Sequence, residues 1–302
     1  MPNSVLVVGS VALDNIESPA GRAEHILGGA ASYASIAASL FAPTRLVGIV
    51  GGDFPEEHLQ LFRDRHINLD GLQIDEKGKT FRWSGDYNDD LNQANTHETH
   101  LGVFETFNPT LPDSHRESTF VLLGNINPEL QLRTLEQVNN PKLVLCDTMN
   151  LWINLAREKV LEIFSKVHVA VLNDTESKML TGDDNVITAG KKLQNLGPEH
   201  VIIKKGEHGA LMFSEKSIFA SPSFPLDEVK DPTGAGDSFA GAFMGYLAST
   251  DDLSAANLRR AVVYGSVVAS ATVQDFSATA LAKLSRDEVE SRFNAMRQLS
   301  QF

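Results

Sequence analysis

Cysteine and long hydrophobic runs are both scarce in this chain of 302 residues. Its one cysteine, Cys146, cannot form an intramolecular disulfide, which favours a reducing compartment. No apolar run approaches the roughly 20 residues that a membrane helix needs, and the N-terminal residues lack the basic start of a signal peptide. These absences predict a cytoplasmic protein that has no membrane partner.

Positive charge is also in short supply. The 26 lysines and arginines are outnumbered by 39 aspartates and glutamates, which leaves a formal net charge of −13. Nucleic acids and anionic membranes require a basic surface, so neither is expected as a partner. A small phosphate ligand is not excluded, because backbone N–H groups can bind it locally whatever the net charge.

Two widespread nucleotide-binding motifs are missing. No segment reads G-x-x-x-x-G-K-[ST], which excludes a P-loop kinase. Gly9 follows the first apolar run but is not continued as G-x-x-G, so the dinucleotide-binding fingerprint of dehydrogenases is absent. Any nucleotide site must therefore be built by other means.

The chain does contain short apolar, β-branched runs that alternate with longer amphipathic segments. This alternation is typical of a parallel sheet covered by helices on both faces. The fold class predicted is therefore α/β, with a doubly wound, mostly parallel sheet in a single domain over residues 1–302. The strands predicted are Val5–Val8, Leu46–Val50, Phe120–Leu123, Leu143–Cys146, Val167–Leu172 and Val201–Ile203.

Two segments depart from this alternation of apolar runs and amphipathic segments. Residues from about 72 to 107 form short alternating patterns rich in Thr, Asn, Asp and aromatic residues, and a shorter excursion covers residues 15–26. A long polar excursion in a compact α/β chain usually forms a lid or an interface. We expect both segments to form a small β lid within the domain.

The segment Asp231-Pro232-Thr233-Gly234-Ala235-Gly236-Asp237 is the most informative one. Apolar residues recur at helical spacing after it, so a buried helix is predicted to begin just after Gly236. The free N–H groups of its first turn, and the positive end of the helix dipole, are suited to an anion. An aspartate beside an anion site is suited to take a proton from an attacking hydroxyl. The alternative is that Asp237 only caps the helix.

The segment resembles the signature D-T-x-G-A-G-D of the ribokinase-like carbohydrate kinases, the PfkB family. The resemblance extends along the chain, because the other family motifs occur in the right order: Gly9 with Asp14, Gly28-Gly29, Gly51-Gly52-Asp53, Asn173-Asp174-Thr175-Glu176, and Lys205-Gly206-Glu207-His208-Gly209. It implies an enzyme that transfers the γ-phosphate of ATP to a hydroxyl of a small sugar-like acceptor. It also implies a lid that often pairs into a homodimer.

The resemblance assigns roles to individual residues. Asp237 would be the general base, and Gly234, Ala235 and Gly236 would form the anion hole. Asn173 and Glu176 match the N-x-x-E motif, which is linked to Mg²⁺ and phosphate, often through water. Residues assigned to the nucleotide site are Asn173, Lys205, Gly206, Gly209, Thr233, Gly234 and Gly236. The alternative for Asn173 and Glu176 is a helix cap with its capping box.

The acceptor site would contain Asp14, Gly28, Gly29 and Tyr33, and Asp231 is a candidate ligand of a monovalent cation such as K⁺. One departure affects the acceptor. The family commonly has G-G-N-x-x-N where this chain has Gly28-Gly29-Ala30-Ala31-Ser32-Tyr33. Loss of both amides leaves three alternatives open beside a plain sugar kinase: a nucleoside kinase, an inositol kinase, or a binding or regulatory protein without catalysis.

Overall fold

A computed structural model describes residues 3–88, 91–215 and 217–301. The predicted domain, residues 1–302, and the predicted lid segment, residues 72–107, include a few positions outside these ranges, residues 89 and 90 among them. A large sheet is built from β1 (Val5–Val8), β4 (Thr44–Gly51), β5 (Ile67–Asp75), β8 (Phe120–Leu123), β9 (Leu143–Asp147), β10 (Val169–Asn173), β11 (His200–Lys204), β12 (Ala210–Ser214) and β13 (Ser217–Ser221). The spatial order is β13-β12-β11-β10-β9-β8-β1-β4-β5.

The large sheet is parallel except at one edge. The pairs from β11 through β9, β8 and β1 to β5 are parallel, whereas β12 and β13 run antiparallel as a terminal hairpin. In β1, Val5 and Val7 pack into the core on one face, and Leu6 and Val8 pack into the core on the other. Because successive side chains of a strand point to opposite faces, a wholly apolar strand requires helices on both sides. The predicted doubly wound α/β class is confirmed.

The helices cover the two faces of this sheet. They are α1 (Ala30–Ser39), α2 (Glu56–Asp64), α3 (Asp113–Arg116), α4 (Pro128–Leu135), α5 (Asn150–Leu155), α6 (Arg157–Phe164), α7 (Asp174–Thr181), α8 (Val186–Gln194), α9 (Ala235–Thr250), α10 (Ala255–Thr272), α11 (Thr279–Lys283) and α12 (Arg286–Leu299). In helix α9, every residue from Ser238 to Ala248 is buried. No helix in the described ranges has the length and apolarity needed to cross a bilayer.

A second, smaller sheet lies apart from the first. It contains β2 (Ala12–Ser18), β3 (Gly21–Gly28), β6 (Phe81–Tyr87) and β7 (Ala94–His100), in the order β3-β2-β6-β7. The pairs β2–β3 and β6–β7 are antiparallel hairpins, and β2 pairs with β6 in parallel. The two segments predicted to form a lid therefore meet in one sheet.

The bounds of this small sheet differ from those predicted. Its first hairpin begins at Ala12 and ends at Gly28, beyond the predicted residues 15–26. Residues 72–75 belong instead to β5, which pairs in parallel with β4 of the large sheet. Strand β5 was not predicted because its sequence, INLDGLQID, mixes polar residues into an edge strand whose outer side is exposed.

Candidate active site

The carboxyl ends of adjacent parallel strands deliver three polar side chains to one edge of the large sheet. Asp147 ends β9, Asn173 ends β10 and Lys204 ends β11. Asn173 is the direct partner of Lys204 across the β10–β11 pair. Ligand sites of open α/β sheets lie in a crevice outside the carboxyl ends of the strands. The edge is therefore where a site is expected.

A glycine turn leads helix α9 to this same edge. Gly234 is its N-cap residue, with a φ of 74°, and the helix begins at Ala235 rather than after Gly236 as predicted. The left-handed turn is completed at Gly234, so Ala235 and Gly236 already belong to the first helical turn. Among the described residues, the amides of Gly236 and Asp237 have no backbone acceptor. These are the donors that an anion would use.

Lys204 lies against this turn. Its Nζ is 3.1 Å from Oδ2 of Asp147, and the two side chains are 19% and 5% exposed. A Cβ placed on Gly236 would lie 2.6 Å from the Lys204 Nζ, so the ammonium occupies the space beside the first turn of α9. The strand edge and the helix N-terminus thus form one charged centre.

Asp237 shares this centre. Burial, with a further contribution from the Asp147 carboxylate, raises the pKa of Asp237 to about 7, although the Lys204 ammonium opposes the rise. A carboxylate with a pKa near neutrality is a suitable general base, because it is available in its basic form and still binds a proton. The arrangement can therefore combine proton removal with anion binding.

Asn173 and Glu176 form the predicted capping box at the start of α7. The Asn173 side chain accepts from the Glu176 amide at 2.7 Å, and the Glu176 carboxylate accepts from the Asn173 amide at 2.7 Å. Burial raises the pKa of Glu176 to about 7, and the carboxylates of Asp147 and Asp237 add to the rise. Several buried carboxylates close together form a negatively charged region, which a cation such as Mg²⁺ would neutralise.

Asp14 lies on the other side of Asp237, in strand β2. Its Oδ1 is buried and has no hydrogen-bond partner among the described residues. Burial, with the charges of Asp231 and Asp237, raises the pKa of Asp14 to about 8. The carboxylate fills the space where Gly28 would carry a Cβ, so only glycine fits at position 28.

Two tyrosines complete this side. Tyr33 projects from α1 with its ring across Gly234, and its buried hydroxyl has no partner among the described residues. Tyr87 of the small sheet accepts a hydrogen bond of 3.1 Å from the Thr233 hydroxyl. The small sheet therefore contacts the segment that leads to α9.

Comparison with known proteins identifies the family of this chain. A family profile described as pfkB family carbohydrate kinase matches residues 3–284. The chain belongs to the pfkB family of carbohydrate kinases. A cytidine kinase of Thermococcus kodakarensis is 31% identical over 246 residues, which cover 80% of this chain and 87% of that protein.

Solved structures share the fold of this pfkB-family chain. A nucleoside kinase of Methanocaldococcus jannaschii superposes with a TM-score of 0.77 at 21% identity, over 97% of this chain and 98% of that one. A ribokinase of Arabidopsis thaliana, complexed with ribose and ATP, has a TM-score of 0.77 at 20% identity, over 97% and 99%. The predicted ribokinase-like fold is thereby confirmed.

Asp231, at the start of the pfkB signature, joins two loops. Its Oδ1 accepts from the Thr233 amide at 2.9 Å, and its Oδ2 accepts from the Ser277 amide at 3.0 Å. The Ser277 hydroxyl in turn donates to the Leu27 carbonyl at 2.6 Å. Asp231 thus holds the signature segment against the loop after α10 and the end of β3.

The predicted nucleotide residues Lys205, Gly206 and Gly209 form the loop that follows β11. The Lys205 amide donates to the Gly209 carbonyl at 2.8 Å, which closes the loop into a tight turn. Asn92, between β6 and β7, donates to Glu207 of this loop at 2.9 Å. The loop lies beside Lys204 at the carboxyl edge of the sheet and touches the small sheet.

Neither Lys204 nor Asp147 was among the site residues predicted from the sequence. Both occupy the carboxyl ends of apolar strands, as Asn173 does, but Asn173 was predicted from the N-x-x-E motif and neither of them belongs to such a motif. Lys204 was overlooked because Lys205 follows it and belongs to the loop that carries the family motif. Successive strand residues point to opposite faces, so two adjacent lysines at a strand end have different surroundings.

Proposed function

We propose that this protein transfers the γ-phosphate of ATP to a hydroxyl of a small acceptor that contains a sugar, and that a nucleoside is the acceptor class. One observation supports it above the others. The Asp237 carboxylate, with a pKa raised to about 7, lies in a helix turn where the amides of Gly236 and Asp237 have no backbone acceptor among the described residues, so that an anion could bind there. A binding or regulatory protein has no need of a base placed at that point.

Asp237 would remove the proton of the attacking hydroxyl. The amides of Gly236 and Asp237, with the positive end of α9, would hold the oxygens of the phosphoryl group as charge develops on them. When bound, Mg²⁺ would neutralise part of the phosphate charge, and Glu176 with Asn173 would hold it through water. The loop of Lys205, Gly206 and Gly209, with Thr233, would receive the nucleotide.

The acceptor would bind between the two sheets. The unpartnered oxygens of Asp14 and Tyr33 supply an acceptor and a donor for sugar hydroxyls, and Gly28 and Gly29 let the sugar lie close to the backbone. Tyr33 stands where the family commonly has an asparagine. That change, together with the identity to a cytidine kinase, favours a nucleoside over a free sugar.

Three further elements belong to this proposal. The small sheet would close over the acceptor and exclude water, which protects ATP from hydrolysis. The same sheet would pair two copies of the chain into a homodimer. K⁺ would bind beside Asp231, whose carboxylate is buried and already orders the backbone around it.

The test is release of ADP from ATP and Mg²⁺ in the presence of a panel of acceptors. Cytidine and other nucleosides are expected to give the highest kcat/KM, above ribose, hexoses, sugar acids and inositols. A preference for a free sugar or an inositol would overturn the nucleoside assignment and leave the kinase intact. Absence of turnover with every acceptor and of ATP binding would overturn the kinase itself.

A further inference from the structure

The position of the Lys204 ammonium is the feature that the proposed mechanism does not use. It lies beside Gly236, at the N-terminal end of α9, where the helix dipole is positive. A cation is disfavoured at that end of a helix. Its placement there needs a reason beyond the packing of β11.

The carboxylates around Lys204 explain in part why its ammonium can lie at this end of the helix. Burial alone would lower its pKa, but the carboxylates of Asp147, Glu176 and Asp237 outweigh burial and raise it, so the ammonium stays charged. Its one hydrogen bond among the described residues is to Asp147, although an ammonium has three N–H donors. Donors are therefore left over for a ligand at the turn.

We propose that Lys204 binds the γ-phosphoryl group of ATP during transfer, and that Asp147 is a positioning residue that holds the ammonium over the first turn of α9. This proposal rests on the proposed function. An anion at the turn would contact the amides of Gly236 and Asp237 and the Lys204 ammonium at once, which explains a cation at a positive helix end. Lysines that contact the β- and γ-phosphates serve this purpose in other phosphoryl-transfer enzymes.

The competing explanation is that Lys204 only neutralises the buried Asp147. The two explanations differ in a double-mutant cycle of Lys204→Met, Asp147→Asn and both together. Each single variant leaves one buried charge without its partner and lowers the melting temperature, and the double variant recovers most of that loss. Under the proposal, kcat stays about 100-fold or more below that of the wild type in both Lys204→Met and the double variant. Recovery of kcat together with stability in the double variant would overturn the proposal.

Nucleotide binding gives a readout that needs no acceptor. Calorimetry with Mg²⁺ compares ADP with AMPPNP, a non-hydrolysable ATP analogue, for the wild type, Lys204→Met and Lys192→Met. Lys192 is a matched control, an exposed lysine of α8 paired with Asp183 at 2.6 Å. Lys204→Met is expected to weaken AMPPNP at least tenfold more than ADP, since ADP lacks the γ-phosphate. Equal effects on both nucleotides would overturn the assignment to the γ-phosphate.

The same measurements separate the two proposals. If the wild type turns over an acceptor and Lys204→Met matches it in kcat and in AMPPNP affinity, the role of Lys204 is wrong and the kinase stands. If the wild type binds neither ADP nor AMPPNP, the kinase is wrong, and the role of Lys204 is wrong with it.

Discussion

The two sides of the candidate site differ in whether their polar side chains are bonded within the protein. On the phosphate side, Asp147 pairs with Lys204, and Glu176 with Asn173, through hydrogen bonds of 2.7 to 3.1 Å. On the acceptor side, Asp14 Oδ1 and the Tyr33 hydroxyl are buried without a partner among the described residues.

This difference in side-chain pairing suggests different roles for the two sides, catalysis on the phosphate side and substrate recognition on the acceptor side. A buried polar atom without a partner costs free energy, so one that lies at a candidate site is a place where a ligand would supply the missing bond. The paired side chains of the phosphate side are in place before any ligand binds, as pre-organised catalysis requires. Under the proposed function, the acceptor would complete the acceptor side, which would then be the part that selects the substrate.

The largest expected effect is on the phosphate side, from Asp237→Asn. The amide keeps the shape of the side chain but cannot take the proton, so kcat should fall by about 10³-fold while the ATP affinity changes little. Steady-state ADP release and calorimetry measure the two quantities. Asp287→Asn, an exposed aspartate in the first turn of α12, is the matched control. Turnover near the wild-type rate in Asp237→Asn would contradict the role of base.

On the acceptor side, Asp14→Asn should impair binding and yet stabilise the protein. Loss of the carboxyl group that would bind the sugar hydroxyls should raise the KM of the acceptor by about 10- to 100-fold. The folded-state pKa of Asp14, about 8, lies above its ordinary 3.8, so the folded protein retains a proton that the unfolded chain releases. The free energy of unfolding of the wild type therefore falls as pH rises from 3.8 to 8, and the amide removes that loss.

Thermal melts of Asp14→Asn and wild type at pH 5 and pH 8 measure how much stability the Asp14 carboxyl group costs at each pH. The melting temperature of the variant should exceed that of the wild type by several degrees at pH 8 and by much less at pH 5. Asp147→Asn should do the reverse and destabilise, since it leaves Lys204 without its partner. If both variants shift the melting temperature in the same direction, the contrast between the two sides is wrong.

The phosphate side was also the easier one to predict from the sequence. Gly234, Ala235, Gly236 and Asp237 are contiguous, and the rule that a helix N-terminus binds anions needs only local sequence. The parallel sheet followed in the same way from its apolar strands. Periodicity fails where polar residues intervene, which is why β5 was missed.

The acceptor side depends on contacts between distant positions. Tyr33 contacts Gly234, and Tyr87 contacts Thr233. The residues of each pair are far apart in sequence, so no local sequence pattern predicts these contacts. The resemblance to the family placed Asp14 and Gly28 there, but not the contact between them. Lys204 needed the structure, because its neighbours come from β9, α7 and α9.

The pH dependence of the rate sharpens the comparison within the phosphate side. Because the pKa of Asp237 in the ligand-free protein is about 7, kcat/KM should fall tenfold per pH unit below pH 7 and level off above it. The Asp147 charge raises this pKa and the Lys204 charge lowers it. Asp147→Asn should therefore move the acid limb to lower pH, and Lys204→Met should move it to higher pH. Identical limbs in all three proteins would show that another group titrates.

The smallest effect concerns the hydrogen bond through which the small sheet contacts the signature segment. Tyr87→Phe removes the acceptor of the Thr233 hydroxyl, a bond of 3.1 Å between the signature segment and the small sheet. One such bond contributes about 1 kcal/mol, so kcat/KM for the acceptor should fall by about fivefold. Thr96→Val is the matched control, because the bond of 3.1 Å from Trp83 to Thr96 lies within the small sheet. If the two variants lower kcat/KM equally, the effect comes from the stability of the small sheet. If Tyr87→Phe alone does so, contact between the sheets contributes to turnover, and acceptor selection depends on closure as well as on Asp14 and Tyr33.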